Sequence, residues 1–232
     1  MIELKNIAIG YTSKLIEVNE MTLRPGEIKA LIGANGKGKT TLLRTLTNQI
    51  PALKGTISID DVPIALMERN NISRRIAFIG PGFKGVEGLC VFEYILLGRT
   101  PYLNQFGTIS EDDKTICLEA LRVAGIEALK DRITSQLSDG QLQLASIARA
   151  IAQNTPYIIM DEPTTFLDYR NREIIFNLLI KLSEDGKGIL FSTHELEFVS
   201  KRDIPVIAIT NEDQLIQFDQ CPGIDELVNL CF

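Results

Sequence analysis

A short glycine-rich run is the part of the chain whose residue types and spacing most clearly predict chemistry. Residues 33–41 read GANGKGKTT and fit the pattern G-x-x-x-x-G-K-[ST]. Glycines let backbone N–H groups approach phosphate oxygens, while Lys39 can reach the outer phosphates and Thr40 can offer its hydroxyl to Mg²⁺. The run predicts a nucleoside triphosphate site, although a glycine-rich turn that only begins a helix is the alternative. The candidate ligands are Gly33, Asn35, Gly36, Lys37, Gly38, Lys39, Thr40 and Thr41.

Two adjacent carboxylates follow the apolar run YIIM at residues 157–160. Ligands of open parallel sheets sit at the carboxyl ends of the strands, so we expect Asp161 and Glu162 beside the phosphate loop. There Asp161 would hold Mg²⁺ through water, and Glu162 would accept a proton from an attacking water. His194 follows another strand-like run and is expected as a further catalytic side chain at this edge. The alternatives are two solvated acids at a turn and an ordinary polar histidine.

A second place for an anion is the sequence LSDGQ at residues 137–141. Ser138 and Gln141 have the S-x-x-Q spacing of a capping box, which predicts that a helix begins here. A helix start offers free backbone N–H groups and the positive end of the helix dipole. Taken alone, the motif is better explained as a capped helix without a ligand.

The elements that must position these residues follow from hydrophobic periodicity. The pattern predicts strands at residues 2–9, 15–23, 28–32, 76–79, 157–160, 189–192, 204–209 and 215–218, with a hairpin around residues 60–61. It predicts helices at residues 42–50, 111–124, after 138, at 170–182 and over the last ten residues. The inner face of the helix at 170–182 is expected to contain Ile174, Ile175, Leu178, Leu179 and Leu182. Continuous apolar runs suit strands covered on both faces, so we expect an α/β fold with a mostly parallel sheet.

The length and composition of the chain exclude some classes of function. The chain has 232 residues and a formal net charge of -6. That length suffices for one large domain with its own core, and the acidic balance argues against a nucleic-acid partner. No apolar run approaches the ~18 residues that span a bilayer, so we expect a cytoplasmic protein that reaches a membrane only through a partner. Four cysteines without a CxxC pair, together with one histidine, argue against a structural metal site.

Together these motifs resemble those of the ATPase subunits of ABC transporters. The glycine-rich run looks like Walker A, LSDGQ like the signature motif, and YIIMDE like Walker B with its catalytic glutamate. Asp168 resembles the D-loop aspartate, His194 the switch histidine, and Tyr11 the aromatic residue that stacks on adenine. The order and spacing of the motifs match over residues 1–200.

The resemblance implies a single domain, residues 1–232, built on a P-loop NTPase (RecA-like) core with a mostly parallel sheet. Residues 1–80 and 155–232 would form this α/β core, with an antiparallel β part at the N-terminal side. Residues 81–154 would form an inserted α-helical subdomain that carries the signature motif.

The resemblance also implies ATP and Mg²⁺ as cofactors and a second copy of the subunit, most simply in a homodimer. Two subunits would face each other head to tail, and each would close the ATP bound to its partner with Ser138, Asp139, Gly140 and Gln141. The expected partners are permease subunits at the inner face of the cell membrane and, indirectly, a substrate-binding protein. ATP could then shift the permease between two states because it binds the closed dimer better than the open one.

A finer resemblance concerns the cargo. Residues 91–102, VFEYILLGRTPY, are similar to the same segment in importers of iron-siderophore, haem or cobalamin chelates, with a generic helix as the alternative.

Two positions depart from the family pattern: Pro81 replaces a glutamine that contacts Mg²⁺ and the attacking water, and Asp139 replaces the first signature glycine. The missing glutamine favours a second hypothesis, a soluble ABC-type ATPase or regulatory module that uses ATP to gate dimerisation without transport. A third hypothesis, a P-loop kinase, is less favoured because it would leave LSDGQ and His194 without a role.

Overall fold

Strands and helices alternate along most of the chain in the computed structural model, which describes residues 1–232. The strands, in chain order, are β1 (Ile2–Gly10), β2 (Lys14–Leu23), β3 (Ile28–Ile32), β4 (Lys54–Ile59), β5 (Val62–Pro63), β6 (Ile76–Ile79), β7 (Tyr157–Met160), β8 (Gly188–Ser192), β9 (Val206–Ile209) and β10 (Leu215–Phe218). The α-helices are α1 (Lys39–Leu46), α2 (Arg69–Ser73), α3 (Val91–Leu96), α4 (Glu111–Val123), α5 (Asp139–Ala152), α6 (Tyr169–Glu184), α7 (Leu196–Lys201) and α8 (Ile224–Cys231). This alternation is typical of α/β proteins.

The larger sheet has six strands in the order β10-β9-β3-β8-β7-β6. Neighbouring strands are parallel from β9 to β6, and only β10 at one edge is antiparallel. Alternate residues of β7 belong to two different cores, since Tyr157 and Ile159 pack towards α1 whereas Ile158 and Met160 pack towards the helices of the opposite face. Burial on both faces explains the continuous apolar run, and the expected mostly parallel sheet is confirmed.

The smaller sheet is antiparallel throughout, in the order β2-β1-β4-β5. Its buried side chains, among them Ile2, Leu4 and Val18, form one core with Leu42 and Leu46 of α1. Residues of β3 and β7 complete that core, so α1 is held between the two sheets. The N-terminal antiparallel part is therefore also confirmed, and its packing fixes the loop that precedes α1.

The segment between β6 and β7 contains the helices α3, α4 and α5. Val91, Leu121 and Ala145 of these helices belong to the same buried core as Ile158 of the larger sheet. The helical segment therefore packs directly on the sheet, with no separate core of its own.

A buried ion pair stabilises the helical segment. Arg99 Nε donates to Asp113 Oδ1 at 2.8 Å, and Arg99 Nη1 donates to the carbonyl of Ala152 at 2.9 Å. Hydrogen bonds from Ser110 and Arg99 lower the pKa of Asp113 to about 2. The pair ties the start of α4 to the end of α5, and removing one partner would leave a buried charge without compensation.

Two expected element bounds near the phosphate loop need correction. Helix α1 begins at Lys39 and ends at Leu46 instead of spanning 42–50, because Gly38 (φ 89°) starts it and Asn48 (φ 55°) lies outside helical conformation. The second strand of the expected hairpin is only β5, since Pro63 has no N–H group to continue the ladder. A short 3-10 helix follows it.

Two expectations near the C-terminal end also need correction, and one helix there was not expected. Ile174 was expected on the inner face of α6 but is 41% exposed, and Phe176 is buried in its place. Strand β9 begins at Val206, because the N–H of Ile204 still bonds the carbonyl of Val199 at the end of α7. Helix α7 itself was not predicted, since six residues are too few to show a helical period.

Candidate functional site

The phosphate loop joins β3 to α1. Gly36 (φ 80°) and Gly38 (φ 89°) have left-handed backbone conformations that glycine adopts without strain. No side chain caps α1, so its first N–H groups remain available to an anion. The loop therefore has both features that a phosphate site needs, a curved backbone and an uncapped helix start.

Lys39 is a buried cation at the start of this helix. Its Nζ donates hydrogen bonds to the carbonyls of Gly33 at 2.7 Å and Ala34 at 3.2 Å. Burial lowers the pKa of Lys39, while the charges of Glu162 and Asp161 act in the opposite direction. The lysine thus lies in the loop and beside both Walker B acids, as the sequence predicted.

The order of the strands places His194 between the loop and the acids. Strand β8 lies between β3 and β7, and His194 follows β8 by two residues. Its Nε2 is 3.2 Å from Nζ of Lys39 and 2.9 Å from Oε1 of Glu162. Because a carboxylate only accepts and an ammonium only donates, Nε2 can form a hydrogen bond with one of the two at a time, and it carries the proton when its partner is Glu162. The side chains of Lys39, His194 and Glu162, which follow three neighbouring strands in the chain, therefore meet at one point.

Ser192, the last residue of β8, organises the two acids. Its hydroxyl donates to Oδ1 of Asp161 at 2.7 Å and accepts from the N–H of Glu162 at 2.8 Å. Glu162 has φ 50°, a sparsely populated conformation for a residue with a side chain. Its second carboxylate oxygen accepts from the hydroxyl of Thr165 at 2.9 Å. Ser192 and Thr165 were not among the predicted site residues, although Ser192 lies within the run FSTH and Thr165 follows the two acids by three residues.

The residues present fit a magnesium ion. Oδ2 of Asp161 is buried and has no hydrogen-bond partner in the protein. Thr40, half-buried, is the second residue of α1. The protein contains no cluster of three His, Cys, Asp or Glu residues that could hold a metal alone. One carboxylate and one hydroxyl, completed by phosphate oxygens and water, are typical ligands of Mg²⁺.

The signature sequence begins α5 with the predicted capping box. The N–H of Gln141 donates to the Ser138 hydroxyl at 3.4 Å, and the N–H of Ser138 donates to the Gln141 side chain at 3.1 Å. Gly140 is buried, and a Cβ there would lie 2.7 Å from the side chain of Asn171. Ser138 and Asp139 are exposed. The helix start is thus formed within the chain, and its exposed end remains free for a ligand.

A cleft of ≈ 620 Å³ separates the start of α5 from the acids. Asp139 lines one side, and Glu162 and Phe166 line the other. Pro81 and Lys84 also line this cleft, so the loop that lacks the family glutamine does approach the acids. Residues of the phosphate loop do not line it. Within one chain, this cleft therefore does not join the signature sequence to the phosphate loop.

Tyr11, Asp168 and Lys37 are the remaining candidates, and none of them takes part in the contacts described above. Tyr11 is 60% exposed directly after β1. Asp168 caps α6, and its Oδ1 accepts from the N–H of Asn171 at 2.8 Å. Lys37 directs its Nζ to the carbonyl of Asn211 at 2.9 Å and to Asp213 at 2.7 Å. The Lys37 side chain is therefore engaged by the turn before β10, which leaves its backbone N–H as the group that could contact a phosphate.

Comparison with known protein families gives a result in line with this geometry. Residues 16–165 match the sequence profile described as ABC transporter. The chain belongs to the ABC transporter family. The matched range begins in β2, includes the phosphate loop, the signature sequence and both acids, and ends just before the D-loop aspartate.

Individual ABC proteins are similar over most of their length. Petrobactin import ATP-binding protein FpuD of Bacillus anthracis is 33% identical over 228 residues, 97% of this chain and 83% of that protein. Iron(3+)-hydroxamate import ATP-binding protein FhuC of Bacillus subtilis (strain 168) is 32% identical over 207 residues, 88% of this chain and 77% of that protein. A solved dimer of the ATP-binding cassette MJ0796, in a post-hydrolysis state with ADP and Pi, is 26% identical with a TM-score of 0.80, covering 97% of this chain and 100% of that chain.

As an ABC transporter subunit, this chain is an ATPase of the ATP-binding cassette type. Its fold is the P-loop NTPase fold expected from the sequence. The match to the ABC transporter family, rather than the fold, removes the kinase hypothesis. The names of the relatives favour a transporter subunit over a free-standing regulatory module. No helix of the chain has the length and apolarity needed to cross a membrane.

Proposed function

We propose that this ATPase hydrolyses Mg-ATP in a head-to-tail homodimer to power the import of an iron chelate of the siderophore type. Support for the ATPase site comes above all from the contact chain that joins Lys39, His194 and Glu162. Such a chain brings a phosphate ligand and a proton acceptor to one point, as phosphoryl transfer to water requires.

In the proposed site, the outer phosphates of ATP lie over the loop and the start of α1. Lys39 exchanges its bonds to the carbonyls of Gly33 and Ala34 for charge-assisted bonds to phosphate oxygens. Thr40 and Asp161 hold Mg²⁺, which neutralises charge on the phosphates when it is bound. The exposed ring of Tyr11 is the proposed adenine contact.

Glu162 is the proposed general base for the attacking water. A carboxylate at the end of a strand can accept the proton of a water that lies in line with the γ-phosphate. His194 donates to Oε1 and the Thr165 hydroxyl donates to Oε2, so both oxygens are oriented before water arrives. His194 also lies beside Lys39, so it connects the proposed phosphate ligand with the proposed base.

The second half of the proposed site comes from a second copy of the chain. Ser138 and Asp139 are exposed at the start of α5, and the cleft that Asp139 lines contains no residue of the phosphate loop. In a head-to-tail dimer the start of α5 would meet the γ-phosphate bound to its partner, aided by the helix dipole. The solved dimer of MJ0796 shows that a related cassette does dimerise.

The proposed cargo follows from the relatives and from the segment 91–102. FpuD and FhuC are import proteins for petrobactin and iron(3+)-hydroxamate by name. In this chain the segment forms α3 and the 3-10 helix Leu97–Tyr102, with Leu97 half exposed. The permease partner would hold the subunit at the cytoplasmic face of the membrane, and a substrate-binding protein would deliver the chelate to the permease.

Purification from native membranes tests the proposed transport function. The tagged chain should copurify with an integral-membrane permease from detergent-solubilised membranes. The copurified complex, reconstituted in proteoliposomes with the ferric siderophore-binding protein, should take up iron-loaded siderophore only with ATP. The same complex carrying Glu162→Gln is the matched control and should show no uptake. Failure of any membrane protein to copurify, or uptake of haem or cobalamin in preference to ferric siderophore, would contradict the proposal.

A further inference from the structure

The end of α8 lies at the ATPase site, although no motif of the sequence covers it. Cys231 is fully buried, and Lys39 lies close enough for its charge to act on the thiol. The ring of Phe232 lies 6.3 Å from the ring of His194, with the two planes tilted by 54°. That separation is within the range of aromatic contacts. Residues 230–232, the α8 end, therefore lie beside the histidine and within range of the charge of the phosphate-loop lysine.

A second set of contacts ties the α8 end to the phosphate loop. The N–H of Asn211 donates to the carbonyl of Leu230 at 3.0 Å. Nζ of Lys37, inside the loop, donates to the carbonyl of the same Asn211 at 2.9 Å. Leu227, one turn earlier in α8, is fully buried in the larger core. These contacts hold the helix that leads to Phe232, whose own side chain is 51% exposed.

The side-chain hydrogen bonds of His194 involve only one nitrogen of its ring. Its side chain is 33% exposed, and its hydrogen-bonding nitrogen faces Lys39 and Glu162. An imidazole bonded through one nitrogen can still rotate about that contact. An aromatic ring beside it limits this freedom, and the limit matters because small displacements of a catalytic group are costly.

We propose that Phe232 is a positioning residue of the ATPase, which holds the ring of His194 in contact with Glu162. It acts through His194, and no contact with ATP or with the attacking water is assigned to it. This inference rests on the proposed role of His194. It also makes α8 part of the site, because the helix that carries Phe232 is bonded through Asn211 to the phosphate loop.

The test compares Phe232→Ala with Val228→Ala in the full-length chain. Val228 is one turn earlier on the same helix, is 42% exposed, and has no aromatic ring to place against His194. Phe232→Ala should lower kcat for ATP at least about fivefold, as expected for a displaced catalytic group, and leave KM for ATP within twofold. Val228→Ala should leave both values unchanged. Phe232→Tyr, which keeps the ring, should restore kcat.

The histidine provides a second readout that a purely structural role would not move. His194 is the only histidine of the chain, so its ring signals in an NMR spectrum are unambiguous. Phe232→Ala should shift those signals, because the ring current of Phe232 is lost, whereas Val228→Ala should leave them in place. Unmoved signals, or a kcat for Phe232→Ala equal to that of Val228→Ala, would overturn the inference.

His194→Ala separates this inference from the proposed function. If His194→Ala loses turnover and Phe232→Ala does not, the positioning role is wrong and the role of His194 remains. If His194→Ala keeps turnover, the proposed role of the histidine is wrong, and the inference fails with it. When both roles hold, adding Phe232→Ala to His194→Ala should cause no further loss of kcat.

Discussion

Nε2 of His194 lies 2.9 Å from Oε1 of Glu162, although 32 residues of chain separate them. The contact exists because β7 and β8 are parallel neighbours and both residues follow the carboxyl ends of their strands. Strand β3 pairs with the other side of β8 and brings Lys39 to the same point. A phosphate ligand, a histidine and a base are therefore held by three adjacent strands of one sheet.

Replacement of Glu162 by glutamine should separate binding from hydrolysis. Glutamine keeps the size of the side chain but cannot accept a proton from water. We expect ATP binding close to that of the wild type, a fall in kcat of at least about 100-fold, and a stable dimer with Mg-ATP. Calorimetry, a phosphate-release assay and size-exclusion chromatography measure the three quantities. Turnover at the wild-type rate would show that Glu162 is not the base.

Ser192→Ala should damage both stability and turnover, because one hydroxyl serves both acids. Without it, Oδ1 of Asp161 and the N–H of Glu162 lose their partners, at a cost of roughly 1–3 kcal/mol. Ser183→Ala is the matched control, since that buried hydroxyl donates only to the carbonyl of Gly26. Both variants should lower Tm, but only Ser192→Ala should also lower kcat. Equal kcat values in the two variants would exclude a role of Ser192 in the site.

The pair of Asp113 and Arg99 should make stability depend on pH. The folded-state pKa of Asp113 is about 2, below the ordinary value of 3.8, so its ionised form stabilises the fold. This contribution is fully present above about pH 5 and is lost as the pH falls from 3.8 towards 2. Urea unfolding of the wild type and Asp113→Asn should show a constant difference near neutral pH that shrinks below pH 3.8. A difference that stays constant down to pH 2 would contradict this assignment.

Ser138→Ala should slow hydrolysis without weakening ATP binding to the monomer. The substitution also removes a helix cap, which costs about 1 kcal/mol. Ser110→Ala controls for that loss, because Ser110 caps α4 with the same capping-box geometry and is not a candidate ligand. Both variants should lose stability, and only Ser138→Ala should lose kcat. Weaker ATP binding to monomeric Ser138→Ala would show that the serine acts within its own chain.

Local features of the site could be predicted from the sequence. The capping box of Ser138 and Gln141, the loop before α1 and the buried β7 all follow from interactions within a few residues. Strand β7 ends at Met160, directly before the two acids Asp161 and Glu162, as its apolar run predicted. Lys39 and Asp161 do lie on the same side of the molecule, as expected.

Long-range features could not be predicted, because they depend on strand order and packing. Nothing near His194 in the chain indicates that β8 runs between β3 and β7. The hydrogen bond of Lys37 to Asn211 joins segments 174 residues apart. Phe232 lies beside His194 although β9 and β10 come between them in the chain. Periodicity also failed for α7, whose six residues are too few to show a repeat.

ATP binding to Lys39→Ala is the most direct test of the central claim, that one triphosphate and its magnesium lie where Lys39, Asp161 and Glu162 meet. Lys187→Ala is the control, because Lys187 is also a partly buried lysine bonded to a backbone carbonyl, but it precedes the other end of β8. Calorimetric titration with Mg-ATP should show no detectable binding to Lys39→Ala and wild-type affinity for Lys187→Ala. Wild-type affinity of Lys39→Ala would contradict the account.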